Sequence, residues 1–269
     1  MTEEKTALSR DLELAGEKAQ YDEEVKRILA NKIILAWILK YCVKEFEQSS
    51  LEEAEQAIEG EPEISLVPVY PGRKEQKITG NATEDSIPNE GNIRYDIRFY
   101  AIVPSKERVK LLLNVEAQKS YYPGYDLVTR GVFYCARMLS AQLDTEFSSS
   151  DYDNIKKVYS IWICMNVPNY AANTITEYSM YPKNKVGDFS ARARYDLLSV
   201  VMIRLGEKEL GRENVLIGML SVLLSKKTNP EEKEEILEEQ FGIKTTIEMK
   251  ERLNTMCNLS DLVEEEGIR

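Results

Sequence analysis

Two carboxylates interrupt apolar patterns where a buried sheet is expected. In Arg94-Tyr95-Asp96-Ile97-Arg98-Phe99, strand alternation puts Ile93, Tyr95, Ile97 and Phe99 on one face and Arg94, Asp96 and Arg98 on the other. In Leu113-Asn114-Val115-Glu116-Ala117-Gln118, Val115 and Ala117 share a face, and Asn114, Glu116 and Gln118 take the opposite one. Strands covered by helices are expected to be apolar on both sides. An uncompensated buried polar group costs ~2–7 kcal/mol, and a charged one more. Two compensations fit. One is ion pairing, with Asp96 meeting Arg94 or Arg98 and Glu116 meeting a lysine across a half-exposed sheet. The other is a hard divalent cation, because two carboxylates and a backbone carbonyl form an oxygen-only set that Mg²⁺ accepts, with water completing its shell. The spacing leaves both open. The chain contains no histidine. That excludes Ser-His-Asp and Cys-His catalysis, histidine-based zinc sites and imidazole acid–base chemistry. Carboxylates, Lys, Tyr, amides and oxygen-bound metal remain.

The elements that must position these residues follow from periodicity. Residues 1–20 are polar and are expected to be peripheral. Tyr21 to Phe46 reads as one helix, with Val25, Ile28, Leu29, Lys32, Ala36 and Leu39 at 3–4 spacing and an apolar run from Ile33 to Leu39 that should lie against a sheet. A short helix is expected over Leu51–Ile58, ended by Gly60 and Pro62, followed by a strand over Ile64–Tyr70. Lys77–Thr79 is a short candidate strand in a polar loop. The clearest strands are Asn92–Val103 and Arg108–Gln118, joined through Pro104-Ser105-Lys106-Glu107. A helix over Tyr125–Leu143, with Gly131 as a close-packing point, leads to a strand over Lys157–Met165. That crossover makes the strands at 108–118 and 157–165 parallel. Further strands are expected near Thr174–Met180 and Leu197–Leu205, then helices over Asn214–Ser225, Pro230–Gln240 and Thr246–Met256.

The 269 residues carry a formal net charge of −11, with 43% hydrophobic and 30% charged residues. This is the composition of a folded globular chain. The acidity is segregated. Residues 45–63 hold 8 acids and no base, residues 231–269 hold 12 acids and 5 bases, and the other 211 residues sum to +4. A locally basic surface is therefore compatible with the acidic total. The four cysteines (42, 135, 164 and 257) form no CxxC pair and sit in apolar contexts, which predicts buried free thiols. Met1 is followed by Thr-Glu-Glu-Lys, unlike a signal peptide, and the longest apolar run is seven residues, Ile33 to Leu39. A cytoplasmic location without a membrane partner is expected.

Asp96 on one strand and Glu116-Ala117-Gln118 on the next resembles the Asp…(Asp/Glu)-x-Lys signature of the PD-(D/E)XK nuclease superfamily. Asn31-Lys32-Ile33-Ile34-Leu35-Ala36-Trp37-Ile38-Leu39, Arg94 to Phe99, Asn114 to Gln118, Arg130-Gly131-Val132-Phe133-Tyr134 and Val158-Tyr159-Ser160-Ile161-Trp162-Ile163 resemble its recombination-promoting, transposase-associated branch. The resemblance covers about residues 20 to 260. It implies an α/β fold with a restriction-endonuclease-like αβββαβ core, a mixed sheet between helices, and a C-terminal helical extension. The corresponding division is a polar segment at 1–20, a nuclease-like core at 21–205 and the extension at 206–269. It further implies Mg²⁺, or alternatively Mn²⁺, on Asp96, Glu116 and the Ala117 carbonyl, with Asp96, Glu116 and Gln118 as catalytic residues and DNA as partner; a homo-oligomer stays open.

The third signature position is Gln118 instead of Lys. An amide orients water but is no base near neutral pH. Lys119 should point to the opposite face. Glu84 or Glu24 could add an acid, Arg130 and Gln142 could contact phosphate, and Tyr121-Tyr122 could stack on a base or cover the core. Lys156-Lys157 are expected beside Asp96 as part of a basic surface. The rival reading is a nucleic-acid or protein-binding module on the same fold with a degenerate metal site.

Overall fold

The computed structural model describes residues 7–64, 84–87, 91–104, 110–189, 194–206 and 214–267. Its centre is a six-stranded mixed sheet built from β1 (Ile58–Ile64), β4 (Ile97–Ile102), β5 (Lys110–Gln118), β6 (Lys157–Cys164), β7 (Thr174–Ser179) and β8 (Leu198–Arg204), in the order β1-β4-β5-β6-β8-β7. β4 pairs antiparallel with both β1 and β5, β5, β6 and β8 run parallel, and β7 closes the far edge antiparallel to β8. A separate hairpin joins β2 (Glu84–Ile87) to β3 (Gly91–Arg94). Seven α-helices are present among the described residues: α1 (Ala7–Leu29), α2 (Lys32–Cys42), α3 (Leu51–Gln56), α4 (Leu127–Ser140), α5 (Val215–Leu223), α6 (Pro230–Phe241) and α7 (Ile247–Gly267).

Helices cover both faces, so the core has two layers. Leu111, Leu113, Val115, Ile161, Ile163, Val201 and Ile203 pack with α1, α2 and α5–α7. Leu112, Val158, Trp162, Val200 and Met202 pack with α4. Every residue of β6 is buried, as a strand between two helical layers requires. All four cysteines are free and buried. No helix among the described residues is long and apolar enough to cross a membrane.

The parallel pairing of β5 with β6 and the strand at 198–204 agree with expectation. Four features differ from it. The helix expected over Tyr21–Phe46 is two helices, and the first starts at Ala7, inside the segment expected to be peripheral. Asn31 makes the break: it leaves the helical conformation and its side chain accepts the Ile33 N–H at 3.0 Å, capping α2. The strand expected over Ile64–Tyr70 shares only Ile64 with β1, which begins at Ile58; residues 65–83, including Lys77–Thr79, lie outside the described residues. β1 takes four residue steps, Glu59 to Glu63, where β4 takes two. Gly60 at φ 59° and Pro62 are tolerated there because β1 is an edge strand with a bulge. Finally, the strand expected over Asn92–Val103 breaks at Tyr95 and Asp96 into β3 and β4. Tyr95 consequently packs on the α4 side while Ile97 and Phe99 pack on the other, so the four apolar residues do not share one face.

Gly131 fixes how closely α4 lies on the sheet. A Cβ at this position would stand 2.5 Å from a Val200 methyl and 3.1 Å from the Trp162 ring nitrogen. Gly131→Ala is expected to destabilise the chain by roughly 1–3 kcal/mol through overpacking. Val200→Ala in the same chain should recover part of that loss, a coupling that urea unfolding of the single and double variants measures.

Candidate active site

The break at Asp96 creates the site. The antiparallel ladder between β4 and β5 ends at the Ile97–Val115 pair. One step beyond, the Asp96 carboxylate takes over as acceptor: its Oδ2 receives the Ala117 N–H at 3.0 Å. The exchange is reciprocal, since the Asp96 N–H donates to Glu116 Oε1 at 3.0 Å. Asn114 Nδ2 donates to the same Glu116 oxygen at 2.8 Å. Lys26 reaches down from α1 and places its ammonium 2.7 Å from Asp96 Oδ1. A residue's N–H and C=O project to the same side of a strand, so the Ala117 carbonyl lies on the Asp96 side as well.

Glu116 is buried, and its carboxyl is held well above the usual carboxylate range. Burial is the main cause and the neighbouring Asp96 charge the second; the Asp96 N–H, Arg130 and Lys26 pull it partly back. Arg130 enters from α4. Its guanidinium donates to the Tyr134 hydroxyl at 2.6 and 3.1 Å and to the Tyr125 hydroxyl at 2.5 Å, and lies 5.0–5.6 Å from the Tyr134, Trp162 and Tyr125 rings. The site thus combines two carboxylates, tied to each other's backbone segments by hydrogen bonds, with one lysine and one arginine from opposite helical layers.

The other expected residues fall as follows. Gln118 shares the α4 side with Glu116 by alternation, and its amide donates to the Ser120 carbonyl at 2.7 Å. Lys119 points to the α1 side, where it pairs with Asp22 and stands 4.2 Å from the Tyr21 ring centre. Glu24 pairs with Arg252 of α7 at 3.3 Å instead of joining the site. Gln142 is buried at the far end of α4, tying the Met138 carbonyl to Lys156. Lys157 opens β6 at the opposite end of the sheet from Glu116 and pairs with Glu45 and Asp196, so the pair Lys156-Lys157 does not flank Asp96. The Glu84 and Arg94 side chains lie outside the described residues. Tyr121 and Tyr122 stand on the rim, their ring centres 4.9 Å apart and edge to face.

Sequence reasoning missed Lys26 and a polar row one rung below the site. Glu63, Arg98, Asn114 and Ser160 lie in register across β1, β4, β5 and β6 on the α4 side. Lys26 gave little signal, being one of two adjacent cations, with Arg27, between the apolar Val25 and Ile28-Leu29; Glu63 gave none, because the strand is expected to begin at Ile64.

Among the described residues no cluster of three or more Asp, Glu or Cys side chains could hold a metal. Two carboxylates and one carbonyl match Mg²⁺, which keeps several waters, better than an ion needing an all-protein cage. Neither protein families, curated proteins nor solved structures gave any match to this chain.

Glu63 provides a pH test of the polar row. Both its oxygens are buried without a hydrogen-bond partner, and burial raises its pKa from 4.5 to about 7, against a smaller opposite pull from Arg98. The unfolded carboxyl ionises near 4.5 while the folded one resists until about 7. Its contribution to stability is therefore present below pH 4.5, lost between 4.5 and 7, and flat above. Glu63→Gln should remove that slope and be more stable than the parent at pH 8 by roughly 1–3 kcal/mol. Urea unfolding at pH 5 and pH 8 checks this; an unchanged slope in the variant would place the titration elsewhere.

Proposed function

We propose that the chain is a Mg²⁺-dependent endodeoxyribonuclease of the restriction-endonuclease-like PD-(D/E)XK type, related to recombination-promoting nucleases. One observation carries the reading: Asp96 and Glu116 are tied together at a strand break beside the ends of β5 and β6, with Lys26 and Arg130 close by. Ligands gather outside the carboxyl ends of parallel strands. The antiparallel β4–β5 pair followed by α4 and the parallel strand β6 is the order this type of core requires.

Asp96, Glu116 and the Ala117 carbonyl would hold the ion, which supplies Lewis-acid charge at a phosphate and acidifies a water. The remaining work falls to the chain. Glu116 would hold a cation as its carboxylate, since ligands bind deprotonated. Lys26 fixes the Asp96 carboxylate from α1. In this reading Lys26 orients the attacking water and the phosphate by hydrogen bonds. In this reading Arg130, anchored by Tyr125 and Tyr134, stabilises negative charge on the phosphate oxygens. Gln118 is a polar wall residue and supplies no base.

A second reading, a binding module without catalysis, is favoured by the same Lys26–Asp96 ion pair, which neutralises a ligand carboxylate. Plasmid nicking separates the two. The nuclease reading predicts cleavage in Mg²⁺ or Mn²⁺ that EDTA stops. Asp96→Asn keeps an acceptor for the Ala117 N–H and should lose activity by about 10²-fold or more, and Lys26→Met should lose about 10²–10⁴-fold. Gln118→Ala should change the rate little. Wild-type protein that never nicks DNA in either metal would favour the binding module.

A further inference from the structure

We propose that Tyr122 and Tyr170 form a stacking platform for unpaired nucleobases, so that nucleic acid crosses the carboxyl edge of β5 and β6 as a single strand. The inference deepens the function proposed above and rests on it for the identity of the polymer. Tyr122 follows β5 and Tyr170 follows β6, so the two rings come from adjacent parallel strands at the edge that carries Glu116. Their hydroxyls are hydrogen-bonded to each other. That tie joins the two loops and leaves the rings open to solvent, 68% exposed for Tyr122 and 77% for Tyr170. Tyr121 braces Tyr122 edge to face with ring centres 4.9 Å apart, which orders the platform at little entropic cost.

Charge complements the rings. Arg204, at the end of β8, bonds the Tyr121 and Tyr178 hydroxyls and the Thr176 hydroxyl, so it is held beside the platform. Arg130 on α4 lies over Trp162 of β6, with Tyr125 half exposed beside it. Exposed aromatic faces on a strand edge that also carries fixed arginines match a strand whose bases alternate with phosphates. A duplex cannot use such faces, because its base faces are already stacked and only base edges reach the grooves. A neutral carbohydrate could lie on the rings but would leave Arg204 beside them without an anionic partner from the ligand.

The test is fluorescence anisotropy in EDTA with a labelled 20-nucleotide single strand and the same sequence as duplex. Wild-type chain should prefer the single strand. Tyr122→Ala/Tyr170→Ala should weaken single-strand binding by roughly 10-fold or more, while duplex binding stays within about 2-fold. Tyr122→Phe/Tyr170→Phe keeps both ring faces and should bind close to wild type. The inference is overturned if wild type binds duplex as tightly as single strand, if it binds neither, if the Ala pair loses nothing, or if the Phe pair loses as much as the Ala pair. Both residues are exposed, so the variants should fold, and circular dichroism verifies it. Because binding is read without metal, the outcome is separate from cleavage. Tyrosine-dependent strand binding without any nicking would sink the nuclease and keep the platform; nicking of duplex that ignores both tyrosines would do the reverse.

Discussion

The exchange of hydrogen bonds between Asp96, Glu116 and Ala117 is the constraint on which the site depends. Two strands that would otherwise continue their ladder part at Asp96, and side-chain carboxylates replace the carbonyls that would have accepted the amide protons. The backbone stays satisfied, so the break costs little. Its consequence is electrostatic. Two acids are brought close inside an α/β sandwich, where desolvation and then repulsion disfavour ionisation of Glu116. Lys26 and Arg130 supply charge from opposite layers, and the helices carrying them are held by the two halves of the core. Packing of α1 and α4 against the sheet therefore sets the electrostatics of the site.

The surrounding architecture limits where that chemistry can happen. β1 and β7 are the sheet edges, and β1 carries Gly60, Pro62 and the acids Glu59, Glu61 and Glu63, features that discourage pairing with another strand. The acidity concentrated in residues 231–269 resides largely on α6 and α7, where Glu234 pairs with Lys250 and Glu248 with Arg252. Much of the net charge thus lies on helices outside the α4 layer, where the arginines and tyrosines of the carboxyl edge are found. α5, α6 and α7 contribute Leu220, Leu237 and Leu253 to the same core as α1 and α2. Lys233, wholly buried, donates to the Leu223 carbonyl at the end of α5, where a cation complements the helix dipole.

Local physics made part of this legible. The runs at 157–164 and 198–204 are β-branched and apolar because both faces are buried, and the 14-residue helix between β5 and β6 dictates their parallel pairing. Asp96 and Glu116 stood out because each breaks an apolar strand. What stayed hidden is non-local. The Asp96 bend depends on an acceptor 20 residues away. Lys26 depends on how α1 lies across the sheet, since its spacing alone describes a cation on a helix. β1 was misplaced because Gly60 and Pro62 normally end elements, whereas an edge strand with a bulge accommodates both. With β1 misplaced, Glu63 could not be set beside Arg98.

Titration with Mn²⁺, followed by the electron paramagnetic resonance of the free ion, tests the central claim most directly. The account predicts one saturable site in the wild-type chain. Its affinity should fall at least about 10-fold in Asp96→Asn and in Glu116→Gln, and should be retained in Gln118→Ala. No saturable binding at millimolar Mn²⁺, or equal binding by Glu116→Gln, would contradict it.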